Sequence, residues 1–315
     1  MKILALSYLV LIGSLLIVSC GGSSARQVHD VNELKYHIQP TMTDTTVSYY
    51  YDVSSSVRSR YEVKDKKIES TGTSDLGLVF HLAKDTAGGM SVRIVYDRLH
   101  VIMDNDGDHK DITAHKGDTL SDPVEHMLGN ILGSALVVSL DKTGNIRQVS
   151  GTKELKSKIV GAMGGADPAV RTAVETQLDR LVGEAFVQST LQQVFKLVPD
   201  SVHYVGDSWT YNQESDGIKL TIGTTYTLKD VDGQTANISG SSEIRDDDGA
   251  PVLFMGQSFP ASFSGEQKSQ FQVDLSSGLV TKGQAKMNLK GTIVVLGTAV
   301  PIQIESEKKV NGKRI

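Results

Sequence analysis

Residues 271–290 read FQVDLSSGLVTKGQAKMNLK. Apolar side chains occupy alternate positions on both sides of the serine-glycine turn at residues 276–278, namely at Phe271, Val273 and Leu275, and then at Ala285, Met287 and Leu289. The positions between them are mostly polar or charged. Alternation with a period of two over two runs joined by a short turn predicts an antiparallel hairpin with one solvated face.

The same kind of pattern continues on both sides of the middle of the chain. Residues 218–229 alternate between apolar and polar side chains, and Val47–Val63 is rich in Val, Ser and Tyr. Residues 68–84 and 90–104 are two further candidate strands, joined by a turn that contains two glycines. Strands this long favour a large curved sheet or half-barrel over a compact sandwich.

Helical signals are concentrated between these two strand-rich parts. Asp122 and Asp167 each precede a proline and begin an amphipathic stretch, so we predict that both are helix N-caps. Residues 152–163 predict another helix, after a short hairpin formed by 135–140 and 146–149. The predicted fold class is therefore α+β, a mostly antiparallel curved sheet covered by a central helical insert.

These patterns define the expected domain organisation. We expect a signal peptide at 1–19 and a flexible lipidated tether at 20–33, for the reasons given in the next paragraph, and a single domain at 34–315. Within that domain we expect a first β half at 34–149, the helical insert at 150–199, and a second β half at 200–315.

The N-terminus carries the clearest functional signal. After Lys2, residues 3–18 are almost entirely apolar, but the run is shorter than the roughly 20 residues that a membrane-spanning helix needs. It ends in residues 17–20 (IVSC), which resemble the bacterial lipobox, whose cysteine accepts diacylglycerol. This resemblance implies a lipoprotein anchored through Cys20. The alternatives are an ordinary secretory signal with a chance cysteine, or a plain membrane anchor.

The residues after Cys20 bear on localisation. Residues 21–29 contain no carboxylate and include the cation Arg26. We expect an anchor in the outer membrane with the domain facing the periplasm. The alternative is that this stretch is only a spacer and that sorting depends on another segment.

Composition excludes several classes of function. The chain has 32 basic and 37 acidic residues, so no positive surplus is available to neutralise the phosphates of a nucleic acid. Cys20 is the single cysteine, which excludes disulfides within one chain and any thiol nucleophile in the mature domain.

No motif indicates catalysis or a cofactor. Three acidic runs, residues 104–108 (DNDGD), 230–233 (DVDG) and 246–249 (DDDG), have the oxygen density of a calcium site, but their spacing is typical of turns. His109 and His115 flank a polar loop and could form a zinc site only if they meet in space. The chain lacks G-x-S-x-G and phosphate-binding glycine loops. We therefore predict no catalytic residue, no cofactor, no metal site and no enzymatic activity.

Several short segments resemble a family of uncharacterised lipoproteins from Bacteroidota. The resemblance covers residues 35–312 and rests on segments that surround the predicted helices, namely 140–144 (LDKTG), 149–151 (VSG), 195–199 (FKLVP), 205–209 (VGDSW) and 226–231 (YTLKDV). It implies a fold and a compartment but no catalytic residues. A looser resemblance is to envelope lipoprotein carriers, in which a curved antiparallel sheet closed by helices holds acyl chains.

Three functional hypotheses follow. The first is a non-enzymatic binding or carrier module with an apolar groove between sheet and helices. The second is a structural lipoprotein that docks an envelope protein through exposed tyrosines among Tyr49, Tyr50 and Tyr51. The third is an enzyme that acts on glycans or peptides.

Overall fold

The structure is a computed structural model. It describes residues 22–24, 35–37, 46–63, 66–85, 89–115, 129–142, 144–162, 184, 191, 197–198, 202–215, 220–246, 252–254, 257–295 and 297–315.

The described residues form seventeen strands and one helix. The helix, α1, spans Thr152–Ala162. The strands are β1 (Gly22–Ser24), β2 (Tyr36–His37), β3 (Val47–Val63), β4 (Lys66–Lys84), β5 (Met90–Asn105), β6 (Asp108–His115), β7 (Ala135–Leu140), β8 (Ile146–Ser150), β9 (Val202–His203), β10 (Ser208–Ser215), β11 (Leu220–Asp232), β12 (Thr235–Asp246), β13 (Val252–Phe254), β14 (Gln257–Phe259), β15 (Ala261–Asp274), β16 (Val280–Val295) and β17 (Thr298–Arg314).

Thirteen of the strands form one open, curved, antiparallel sheet. Its order is β1-β10-β11-β12-β15-β16-β17-β3-β4-β5-β7-β8, with β6 paired to β5. The pairing of β17 with β3 joins the last strand of the chain to its first long strand, since Ile302 lies opposite Tyr61 and Arg314 opposite Tyr49. The strands β3, β4, β5, β16 and β17 are 16 to 19 residues long. Because each strand is twisted, strands of this length make the sheet curve.

Many local predictions are confirmed. The strand at Val47–Val63 and the strand at Ala135–Leu140 have the predicted bounds, and α1 matches the predicted helix at 152–163 within one residue. The hairpin at residues 271–290 has the predicted two-sided pattern, with Leu289 buried and Lys290 exposed. Residues 22–24, expected in a flexible tether, instead pair with β10.

The predicted α+β class with a central helical insert is wrong. Nearly all of the described residues lie in antiparallel strands, and α1 is the one helix whose bounds the structure describes. It packs at one side of the sheet, where Leu155 and Ile159 contact residues of β5, β7 and β8. Helical residues still cover part of the sheet, because Leu155, Ile159 and Leu191 pack into the apolar cluster that contains Phe80.

The expected positions of the other helices fall largely outside the described residues. Neither Asp122 nor Asp167 is among them. Within the expected third helix, Glu184 and Leu191 are described and helical, and Leu197 and Val198 are buried.

Three apolar clusters lie on the buried face of the sheet, here called the inner face. The first joins Tyr51 and Phe80 to α1, and the second surrounds Trp209 and Tyr226. The third contains Tyr61 and Leu289 and lies at the opposite end of the strands. The buried members of residues 293–304 pack among strand residues in the third cluster.

Two of the acidic runs, at residues 104–108 and 230–233, occur at hairpin ends, as predicted. Asp106 and Gly107 have positive φ in the β5–β6 turn, and Gly233 has positive φ in the β11–β12 turn. Asp246 ends β12, and the rest of its run lies outside the described residues. In the part of the chain that the structure describes, no helix has the length and apolar character needed to cross a membrane.

Candidate functional site

A band of small and polar side chains crosses the middle of the inner face. Cross-strand pairing places these residues in two neighbouring rows, which run across β12, β15, β16, β17, β3 and β4 in that order. One row contains Gly240, Ser269, Ala285, Lys308, Ser55 and Ser74, and the other Ser242, Gln267, Met287, Ser306, Val57 and Gly72. These two rows are the central band. It separates the third apolar cluster from the other two.

Several polar groups in and beside this band are deeply buried. Hydrogen bonds join Thr224 to Ser242 at 2.8 Å and Ser55 to Ser74 at 2.7 Å between their hydroxyl oxygens. Gln267 is only 1% exposed, yet its Oε1 accepts no hydrogen bond from any described group, and Ser269 Oγ also has no partner there. Buried polar atoms usually have hydrogen-bond partners, so Gln267 Oε1 and Ser269 Oγ are exceptions among the described residues.

Aromatic rings beside the band lie flat on glycines. In four cross-strand pairs the residue opposite an aromatic side chain is glycine: Tyr51 with Gly312, Tyr226 with Gly240, Phe263 with Gly291, and Phe271 with Gly283. A Cβ at Gly283 would lie 2.9 Å from Phe271. Glycine therefore allows each ring to lie along the sheet instead of projecting into the space that the sheet encloses.

Several side chains in the middle of the inner face are only partly buried. On β4, partly accessible residues lie between buried Gly72 and buried Phe80, and the same inner surface continues across β3, β17 and β16. We call this surface the trough; its residues are Val53, Ser74, Leu76, Leu78, Met287, Ser306, Lys308 and Val310. Five of these side chains are apolar and three are polar, so the trough is amphiphilic.

Lys308 is the charged residue of the trough. It lies opposite Ala285 on one side and Ser55 on the other, in the middle of β17. Burial lowers the pKa of Lys308 to about 8, and no charged neighbour contributes to this change. No described carboxylate forms an ion pair with it. An ammonium group in such a place is unfavourable unless an anion compensates it.

The outer face provides a contrast. Arg60 lies 2.9 Å from Glu69 and 3.3 Å from Glu305, and Arg98 lies 2.7 Å from Asp52. Lys309, the neighbour of Lys308, points outward and lies 3.3 Å from Glu307. These cations have carboxylate partners in solvent, whereas Lys308 has none among the described residues.

The predicted histidine site does not form. His109 and His115 lie six residues apart on β6, so their backbones are about 20 Å apart and cannot hold one ion. His109 instead lies 2.7 Å from Asp104, and this hydrogen bond raises the pKa of His109. Among the described residues no three His, Cys, Asp or Glu side chains are grouped for metal binding.

The tyrosines proposed as docking anchors are mainly core residues. Tyr49 and Tyr51 are 5% and 2% exposed, and of these three tyrosines only Tyr50 faces the outer side, where its hydroxyl lies beside Gly77.

Cys20, the predicted lipidation site, lies outside the described residues. Sequence reasoning missed Lys308, because a lysine in an EKK run gives no local sign that it points inward.

A second depression, of about 560 Å³, lies near the β3–β4 turn. It spans the edge between the two faces, and its lining includes Arg60 and Glu69, which already pair with each other. Lys67 and Lys290 also line this depression, but both side chains are exposed to solvent, unlike the partly buried Lys308.

Comparison with protein families identifies one match. The model of a family of unknown function, DUF6263, matches residues 87–280. The chain belongs to the DUF6263 family. The matched segment of this DUF6263 protein runs from just before β5 to the first residue of β16, so every residue of the trough lies outside it, while Gln267 and Ser269 lie inside. No curated protein matches the chain.

Solved structures similar to this DUF6263 protein include lipid-binding and envelope proteins. Lipovitellin, in a structure of its lipid–protein interactions, has 8% identity and a TM-score of 0.43. The match covers 84% of this chain but only 25% of the lipovitellin chain. The translocator domain of the autotransporter NalP from Neisseria meningitidis has 7% identity and a TM-score of 0.20, covering 84% of this chain and 89% of that one. A DUF1329 family protein from Desulfovibrio piger has 10% identity and a TM-score of 0.15, covering 86% and 85%. TM-scores below 0.5 do not establish a shared fold.

Proposed function

We propose that this protein is a non-enzymatic binding module that holds an apolar or amphiphilic ligand in the trough. The observation that carries the proposal is the accessible apolar surface at the centre of an otherwise buried face. Val53, Leu76 and Val310 are cross-strand neighbours there, and none of them is fully packed. Concave, mainly apolar surfaces with a few polar groups are typical of small-molecule sites.

The proposal includes a location. A lipid anchor on Cys20 would hold the domain at the outer membrane, facing the periplasm, where the ligand would come from the envelope. This part rests on residues 17–20 and on the composition of residues 21–29. Two or three acyl chains make such an anchor effectively permanent.

The ligand proposal is tested by occupancy. The full chain is purified in a fluorinated surfactant, and bound molecules are extracted and analysed by mass spectrometry. We expect a copurifying apolar ligand, and uptake of a fluorescent long-chain probe when the site has been emptied. A protein that neither carries such a ligand nor takes up the probe would contradict the proposal.

Two adjacent residues of β4 supply a matched pair of variants. Ser74→Trp would fill the trough from the inner face and abolish uptake of the probe. Thr73→Trp adds the same side chain on the exposed outer face and should leave uptake unchanged. Equal uptake by both variants would place the ligand elsewhere.

The anchor is tested separately through its single cysteine. Cys20→Ala should prevent cleavage after Ser19 and abolish incorporation of labelled palmitate. Continued labelling of this variant would end the lipoprotein interpretation. Protease treatment of intact cells tests the side of the membrane, since degradation with a periplasmic control intact would place the domain on the cell surface.

A further inference from the structure

The central band contains a cation, Lys308, that has no carboxylate partner among the described residues. On β17 the neighbouring acidic residues, Glu305 and Glu307, alternate to the outer face, where Arg60 and Lys309 pair with them. On the adjacent strands the residues directly opposite Lys308 are Ala285 and Ser55, which carry no charge. An anion that compensates Lys308 must therefore come from outside the described part of the chain.

Hydrogen-bonding groups surround the same position. Ser269 belongs to the same cross-strand row as Lys308, with only the small Ala285 between them. Its hydroxyl has no partner among the described groups. Ser306 is the next inner-face residue along β17, and the Ser55–Ser74 pair lies on the other side. The ammonium of Lys308 and the hydroxyls of Ser306 and Ser55, at adjacent inner-face positions, can contact one small anion. Ser269 lies two strands away, with its Oγ against Gly240.

The dimensions of the band limit the size of that anion. Successive inner-face residues along a strand are about 7 Å apart, and the polar band is only two rows wide. On one side the band is bordered by an apolar row that contains Val310 and Val53. On the other side Leu289 and Ile304 are apolar, and the same row continues through Ser59 and Ser70. A carboxylate fits this width, whereas a phosphate with an attached alcohol would bring further polar atoms against Val310 and Val53. A single lysine also lacks the planar bidentate geometry that favours arginine at phosphate sites.

We propose that the ligand is a long-chain fatty acid whose carboxylate pairs with Lys308 and whose acyl chain lies along Val53, Leu76, Leu78 and Val310. This inference rests on the proposed function, because it assigns the chemistry of the ligand held in the trough. It also gives a role to a lysine on the inner face that has no carboxylate partner in the described part of the chain.

The experiment compares a fatty acid with its methyl ester, which has the same chain without the charge. Binding of both to the full chain in a fluorinated surfactant is measured by displacement of a fluorescent probe. We expect the acid to bind at least about tenfold more tightly than the ester, because hydrogen bonds to charged groups are strong in buried sites. Lys308→Met should remove this preference, and the outward-facing Lys309→Met should preserve it.

The possible outcomes separate the two proposals. If neither the acid nor the ester binds, the proposed function itself fails. If the ester binds as well as the acid, the binding function stands but the carboxylate inference is wrong. Stronger displacement by a phospholipid than by the acid would also overturn it. Because Lys308→Met could lose binding by misfolding, its cooperative unfolding is measured in parallel, and Lys308→Arg should retain a preference for the acid.

Discussion

At the scale of a residue, Lys308 gives a prediction about stability. Its pKa falls from an ordinary value near 10.5 to about 8 in the fold, with burial as the cause. Between these two values the unfolded chain binds more protons than the folded chain, so the free energy of unfolding should rise with pH from about 8 to 10.5. Below pH 8 the charged group destabilises the fold, and Lys308→Met should increase the free energy of unfolding by about 2 kcal/mol at pH 7.

Chemical denaturation of both proteins at pH 7 and pH 10 measures this effect. The gain from Lys308→Met should shrink at the higher pH, where the wild-type lysine is largely neutral. Lys309→Met removes an exposed ion pair and should change stability by less than about 0.5 kcal/mol. A Lys308→Met protein less stable than wild type would show that the ammonium has a favourable partner. A gain in stability together with a loss of fatty-acid binding would mark Lys308 as a residue kept for function.

At the scale of an element, the glycine–aromatic pairs determine how neighbouring strands pack. Gly240 on β12 lies between Tyr226 and Ser269, and a Cβ at Gly240 would press against Ser269 Oγ and approach the fully buried Tyr226 ring to 2.8 Å. The ring has no free space into which it can move, so Gly240→Ala should destabilise the protein by about 1–3 kcal/mol. The free energy of unfolding of the variant tests this directly.

A second glycine in the same pair of strands is the control. Gly223 on β11 lies opposite Glu243, and a Cβ there would contact only Asn212 Oδ1 at 3.3 Å. Gly223→Ala should be neutral or stabilise by up to about 0.5 kcal/mol, since alanine loses less conformational entropy on folding. Equal losses in both variants would mean that strand glycines matter here for reasons other than the aromatic rings.

At the scale of the whole molecule, β17 connects the two parts of the sheet. It pairs with β16 on one side and with β3 on the other. Deleting residues 298–315 would leave β16 and β3 as long unpaired edges and would remove the trough residues Ser306, Lys308 and Val310. We expect the truncated chain to lose cooperative unfolding and to aggregate, because exposed edges pair with other chains. Circular dichroism during denaturation and sedimentation of the soluble fraction measure the two effects.

Removal of the β13–β14 hairpin serves as the control deletion. The hairpin forms a separate two-stranded sheet outside the large one. Replacing residues 252–259 with a short Gly-Ser linker should therefore preserve the main unfolding transition. Loss of that transition in the control would show that the large sheet depends on more than its own pairing.

The sequence by itself determined the local features of this protein. Alternation predicted the strands at Val47–Val63 and in residues 271–290, and Asp-Gly runs predicted turns such as the one at Gly107, because these signals depend on neighbouring residues alone. The apolar run and Cys20 likewise carry the prediction of an anchor, which awaits its test. The same local reasoning overestimated the helical insert, since amphipathic spacing does not reveal whether a sheet needs a cover.

Only the tertiary structure decided which strands become neighbours and which face they bury. The pairing of β17 with β3 joins residues more than 200 positions apart, and no local pattern encodes such a contact. In the stretches SSS at 54–56 and EKK at 307–309, polar residues occupy both faces, so alternation gives no direction there. The register of the neighbouring strands supplies that direction and turns Lys308 and Ser55 inward together. The trough thus arises from long-range pairing, while the strands that form it were predictable from their own residues.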